Sequence, residues 1–205
     1  TNKTRIFAGH QQLLRVDHET DQYIGADLEN QLWEKIEGLV LRNDIAAIIF
    51  QDYDKGVITP GLIDRVVALA RQKNIPSLVD PKKRNFGHYR DASLFKPNFK
   101  ELCEGMNLEL DKSDYAGVHV AAQQLRKAAG FDRVMITLSE HGMLISWEDN
   151  YRVVPTRARE VADVSGAGDT VIAMASLCLA AGIGDYETAL LANLLNVEPG
   201  QQPDS

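Results

Sequence analysis

Residues 45–81 read Ile45-Ala46-Ala47-Ile48-Ile49-Phe50-Gln51-Asp52-Tyr53-Asp54-Lys55-Gly56-Val57-Ile58-Thr59-Pro60, then Gly61-Leu62-Ile63-Asp64-Arg65-Val66-Val67-Ala68-Leu69-Ala70-Arg71-Gln72-Lys73-Asn74-Ile75-Pro76-Ser77-Leu78-Val79-Asp80-Pro81. The apolar run 45–50 has the length and β-branched content of a buried strand. Thr59-Pro60 is an N-cap followed by proline at the first helical position, where its missing N–H costs nothing. Leu62, Ile63, Val66, Val67 and Ala70 then recur at helical spacing to about Lys73. A second strand, 75–79, stops at Asp80-Pro81. Strand, helix and strand in this order form a crossover unit of a parallel α/β sheet.

The same alternation extends in both directions. Upstream, residues 27–42 put Leu28, Leu32, Ile36, Leu39 and Val40 on one helical face. Downstream, 92–95 reads as a short strand, Ser113 as the cap of a helix running to about Ala129, and 133–138 as the next strand. Residues 143–147 and 151–155, joined by Glu148-Asp149-Asn150, form an antiparallel hairpin. A turn at Gly166-Ala167-Gly168 opens a helix through Ala181, and another begins near Asp185. The expected fold is therefore α/β, a parallel sheet flanked by helices. Residues 1–17 stand apart: 5–7 and 12–17 read as two strands around Gly9-His10 with no helix after them. They are assigned to a small β element, a lid over the sheet edge, and 18–205 to the core.

Composition narrows the class of function. The chain has 205 residues, 44% hydrophobic, with a formal net charge of −7, which suits one globular domain with a full core. An acidic balance argues against nucleic-acid or anionic-membrane partners. No apolar run approaches the roughly 20 residues that span a bilayer, and no signal-peptide pattern opens the chain. Cys103 and Cys178 lie far apart without CxxC spacing, which predicts two buried thiols in a reducing cytoplasm.

In an open α/β sheet, ligands bind beyond the carboxyl ends of the strands. Four polar clusters fall there: Gln51 to Gly56, Asp80-Pro81-Lys82-Lys83, Lys96-Pro97-Asn98-Phe99-Lys100-Glu101 and Ser139-Glu140-His141-Gly142. The chemistry concentrates in Asp163-Val164-Ser165-Gly166-Ala167-Gly168-Asp169-Thr170. Small residues at 166–168 let backbone N–H groups approach an anion at a helix N-terminus. Asp169, in the first turn, is positioned to accept a proton from an attacking hydroxyl while those amides hold a phosphoryl group. The same residues also suit a plain glycine turn with a helix-stabilising acid. Asn98 and Glu101, three apart, fit either an oxygen-rich Mg²⁺ site or an ordinary capping box. Lys55, Lys82 and Lys96 gain interest only from their positions. The Walker pattern, GxSxG and HExxH are absent.

At this point the residues resemble a known family. The segment 163–170 resembles the C-terminal signature of the ribokinase-like (PfkB) carbohydrate kinases, and Asn98-Phe99-Lys100-Glu101 matches their NxxE motif. Three segments look most like the members acting on D-glycero-D-manno-heptose 7-phosphate: Lys3-Thr4-Arg5-Ile6 with Gln11 to Asp17, Asp52 to Val57, and Val79-Asp80-Pro81-Lys82. The resemblance implies a cytoplasmic enzyme, a homodimer, that transfers a phosphoryl group from ATP to a sugar hydroxyl with Mg²⁺, serving ADP-heptose and lipopolysaccharide core synthesis. It implies Asp169 as base and the amides of Gly166, Ala167 and Gly168 as anion hole. Asn98 and Glu101 would organise Mg²⁺ through water, Lys82 would lie near the phosphates, and Thr137, Ser139 and Gly142 along the nucleotide. Lys3, Arg5, Arg15, Asp52, Tyr53 and Lys55 would face the sugar phosphate. The family's N-terminal glycine-rich sugar-binding motif is not found in these residues, so an incomplete domain is expected. Other ribokinase-like substrates, such as a nucleoside or fructose phosphate, stay open, as does a non-catalytic nucleotide-binding or dimerisation module.

Overall fold

The computed structural model describes residues 2–9, 11–42, 45–155 and 166–195. Its centre is a six-stranded sheet whose spatial order, β3-β4-β5-β6-β7-β8, equals the chain order. The strands are β3 (Ile48–Gln51), β4 (Ser77–Asp80), β5 (Leu94–Phe95), β6 (Arg133–Thr137), β7 (Met143–Trp147) and β8 (Asn150–Val154). β3 to β6 pair in parallel, while β7 and β8 add the antiparallel hairpin read from the sequence. The sheet is thus mixed, with the parallel part carrying the crossovers.

Side chains alternate between the two faces, as pleating requires. Val79, Phe95, Val134, Ile136 and Leu144 join one core with Leu62, Ile63, Val66, Leu102 and Val118. These come from α2 (Pro60–Gln72), α3 (Phe99–Met106) and α4 (Tyr115–Ala129). Leu78, Leu94, Met135, Met143 and Ile145 join a second core on the other face. There they meet Val171, Ile172 and Ala175 of α5 (Ala167–Ala180), with Ala189 and Ala192 of α6 (Asp185–Leu195). In the first core Phe95 stacks on Phe131 at 4.5 Å and meets Phe86 edge-on at 5.1 Å.

Several sequence expectations shift. The strand expected at 45–50 is shorter, and Ile49 is 38% exposed, with β3 at the end of the strand order among the described residues. In α1 (Ala26–Leu41) Val40 is buried and Leu32 and Ile36 pack on the core, but Leu28 and Leu39 face outward. Asp114, not Ser113, caps α4, its carboxylate accepting from the Gly117 amide at 3.0 Å. Cys178 is buried as expected, whereas Cys103 is only half-buried.

Ahead of the sheet, β1 (Asn2–Ala8) and β2 (Gln11–His18) form a separate two-stranded antiparallel sheet. His10 of the expected turn lies outside the described residues. Opposed residues share a face. Thr4 opposes Val16 and Ile6 opposes Leu14, while Lys3 opposes Asp17 and Arg5 opposes Arg15. Between the ends and the register shift at Ile6/Phe7, the hairpin therefore has a more apolar face and a charged one. Segment 19–24 ties it to the core: Glu19 pairs with both Lys55 and Lys3, and the Ile24 amide donates to the Gly56 carbonyl at 2.9 Å. Gly56 has φ +76, and a Cβ there would sit 1.9 Å from the Gln22 carbonyl oxygen, so only glycine lets the two segments meet.

Candidate active site

The carboxyl ends of the parallel strands and the N-terminus of α5 converge on a cleft of about 380 Å³. β3 contributes Gln51 and, just beyond it, Tyr53; β4 contributes Asp80 and then Lys82. Lys96 and Asn98 follow β5, and Thr137 ends β6 with Ser139 behind it. Glu101 of α3 completes that side, and Ala167, Gly168 and Asp169 face it from α5.

Gly166 is the N-cap of α5 with φ +91, a left-handed geometry that a Cβ would strain. Its carbonyl accepts the first helical bond, from the Thr170 amide at 3.0 Å. The amides of the turn between them have no intrahelical acceptor and point out of the helix end, where the dipole favours negative charge. Asp169 sits in that turn. Its Oδ1 accepts from Gln51 Nε2 and its Oδ2 from the Tyr53 hydroxyl, each at 3.0 Å. The hydrogen bond to Asp169, then its charge, pushes the Tyr53 phenol above its usual value, so the hydroxyl stays a donor.

Under this lies a buried ion pair. Lys96 Nζ is 3.1 Å from Asp80 Oδ1, with both side chains less than one-tenth exposed. Lys96 is therefore not a solvated surface lysine: it is 3% exposed, and its Nζ lies beside Gly168 in the first turn of α5. Asp80 Oδ2 accepts from the same Gln51 amide at 3.0 Å, so Gln51 bridges two carboxylates.

Asn98 and Glu101 form the capping box. Asn98 Oδ1 accepts from the Glu101 amide at 2.8 Å, and Glu101 Oε2 accepts from the Asn98 amide at 2.9 Å. The other oxygen of Glu101 accepts from Lys82. Burial alone would lower the Lys82 ammonium, but the Glu101 carboxylate outweighs it and the net shift is upward. Capping and ligand binding are compatible, since a carboxylate has more acceptor sites than these two bonds fill. The oxygen set suits a hard cation held through water. Among the described residues no cluster of three His, Cys, Asp or Glu offers a direct metal site.

Other expected residues are not gathered here. Asp52 points inward, 2% exposed; its Oδ2 accepts from Asn85 Nδ2 at 2.9 Å and the Tyr89 hydroxyl at 3.1 Å, and its Oδ1 from the Asp54 amide at 2.8 Å. Burial, then that carboxylate, pushes the Tyr89 phenol far upward. Lys55 turns to Glu19, and Lys3, Arg5 and Arg15 stay on the charged face of the hairpin, Arg15 within 2.9 Å of Asp17. Gly142 closes a 3-10 turn with φ +86 outside the cleft lining. Asp163, Val164 and Ser165 lie outside the described residues. Gln51, Asp80 and Lys96 stood in the polar clusters at the strand ends, but the sequence assigned none of them a role in the site. The available signal was that each ends or directly follows a parallel strand.

A larger cleft of about 530 Å³ opens at the opposite, amino edge of the parallel strands. Its charges are spent on each other: Arg133 pairs with Asp185 and Arg71 lies 3.5 Å from Asp132. The carboxyl edge, where charges and helix amides converge on open space, is the candidate site.

Residues 23–195 match the profile of the pfkB family carbohydrate kinases. The chain belongs to this family. Within it, the chain is 41% identical over 197 residues to the bifunctional protein HldE of Geobacter metallireducens, covering 95% of this chain and 39% of that protein. To HldE of Rhodospirillum rubrum it is 39% identical over 193 residues, with 94% and 38% covered. It therefore spans about two-fifths of the length of these pfkB relatives. Among solved structures, a phosphofructokinase-2 variant from Escherichia coli superposes with a TM-score of 0.73 at 22% identity, over 92% of this chain and 60% of the other. Ribokinase from Arabidopsis thaliana, solved with ribose and ATP, gives 0.64 at 17% identity, over 86% and 53%. These likenesses establish the pfkB fold, with the mixed sheet and its two helical layers.

Proposed function

We propose that this chain is the catalytic part of a kinase that transfers the γ-phosphoryl group of ATP to a sugar hydroxyl, with heptose 7-phosphate as acceptor and heptose 1,7-bisphosphate as product. The observation that carries the reading is Asp169 in the first turn of α5, held by Gln51 and Tyr53 in a cleft also lined by Lys82 and Lys96. The acceptor oxygen attacks the γ-phosphorus, the bond to the bridging oxygen breaks, ADP leaves, and Asp169 takes the hydroxyl proton. The amides at 166–168 and the helix dipole hold the transferring charge. Thr137 and Ser139 line the nucleotide side. Mg²⁺, when bound, would neutralise phosphate charge, with Asn98 and Glu101 ordering its water shell.

The acceptor assignment rests on the sequence resemblance at 3–6 with 11–17, at 52–57 and at 79–82. The charged hairpin face, with Lys3, Arg5 and Arg15, is the proposed lid over the sugar phosphate, and Tyr53 its neighbour in the core. Asp52 acts from beneath, through the loop it anchors. The apolar face of the hairpin is the proposed contact of a homodimer.

Asp169→Asn in the enzyme containing this chain is the test. It should lower kcat by about 10²- to 10⁴-fold, the usual general-base contribution. ATP affinity should hold, since the helix amides remain, and the melting temperature should barely move. A stable Asp169→Asn enzyme with normal kcat removes the base from the mechanism.

A further inference from the structure

We propose that Gln51 and Tyr53 are positioning residues that clamp Asp169 from both oxygens, and that buried Asp52 between them is the anchor of the clamp. The inference rests on Asp169 being the base. Its foundation is an alternation in three consecutive residues. Gln51 and Tyr53 project to the cleft and donate to Oδ1 and Oδ2 of Asp169, each at 3.0 Å. Asp52 projects the opposite way into a buried network with Asn85, Tyr89 and the Asp54 amide. The Asp52 amide also donates to the Asp80 carbonyl at 3.2 Å, which extends the sheet ladder one residue past β3.

Each contact has a distinct consequence. Two donors in fixed positions leave the carboxylate little freedom to rotate, and each oxygen keeps acceptor capacity for a further proton donor. The Gln51 amide splits its two hydrogens between Asp169 and Asp80, so it separates two carboxylates that would otherwise repel. Asp80 is itself fixed by Lys96. Asp169 is thus referenced to the sheet by one route through Gln51 and Asp80, and by a second through Tyr53 and Asp52. Proton transfer needs such fixed geometry, because small displacements of a reacting group lower rates steeply.

Two measurements test this. The first needs no turnover. On this chain, the tyrosinate absorbance of wild type minus Tyr53→Phe isolates Tyr53, whose charged neighbours are Asp169, Asp80 and Lys82. The same difference in an Asp169→Asn background should place Tyr53 ionisation at lower pH, since the carboxylate that opposes it is gone. An unchanged midpoint means the contact does not exist in solution, and the clamp falls. The second is kinetic. Tyr53→Phe and Gln51→Met should each lower kcat about tenfold, with the KM for ATP and the melting temperature unchanged. Normal kcat in both, beside an inactive Asp169→Asn, overturns the clamp and leaves the base intact. An active Asp169→Asn instead overturns the base reading and the purpose of the clamp with it.

Discussion

At the residue scale, the chain shows how one neighbourhood assigns opposite duties to similar groups. Asp52 and Asp169 are both aspartates within reach of a tyrosine hydroxyl, yet one is sealed in the core and the other opens on a cleft. His119 gives a third case, away from the site. Its ring stacks on Tyr151 at 4.4 Å and its Nδ1 lies 3.1 Å from the Ser146 hydroxyl. Burial lowers its pKa below 6.5, against a small opposing pull from Asp149 and with Lys127 adding to the lowering. The folded protein therefore resists a proton that the unfolded chain accepts. Stability should fall as pH drops from about 6.5 towards the lowered folded value. Melting curves from pH 7 to about pH 5 should show a shallower decline in His119→Gln than in wild type. Equal slopes would mean that His119 is not the group responsible. Asp169 was legible in the sequence because its motif is local. Gln51 was not, since the residue it serves lies 118 positions away.

At the scale of elements, α3 separates two roles that the sequence left entangled. Asn98 and Glu101 were equally readable as a cap and as a metal site, and the structure shows the cap complete in both directions. Asn98→Ala should cost about 0.5–2 kcal/mol of stability, read as a lower melting temperature. Glu101→Gln is more informative, because glutamine at this position preserves the reciprocal bond to the cap amide while discarding the charge. If Glu101 orders the metal's water shell, the variant should keep the cap, lose only what the Lys82 pair contributes to the melting temperature, and need more Mg²⁺ for half-maximal activity. A normal Mg²⁺ requirement would leave Glu101 as a cap and a partner for Lys82. The N-cap of α2 was readable because Thr59 accepts from the nearby Leu62 amide at 3.1 Å. The exposure of Ile49 and Leu28 was not, because it depends on which strand and helix end up outermost, a property of assembly that no local pattern encodes.

At the scale of the molecule, the N-terminal hairpin is the part whose form asks for a partner. Isolated two-stranded hairpins are marginal in water, and here Ile6, Leu14 and Val16, on one face, are each about half exposed. If that face joins two copies, Ile6→Asp with Leu14→Asp should shift sedimentation from dimer to monomer without lowering the melting temperature of the core. A wild-type chain that sediments as a monomer at micromolar concentration rejects the dimer. The strand order carries a different consequence. Because the six strands of the large sheet, among the described residues, pair in chain order, this part of the sheet can be laid down in the order of translation. The helix that brings Asp169 emerges after all six strands. A nascent chain would thus assemble the carboxyl edge of the sheet before the helix turn that carries Asp169 arrives to face it.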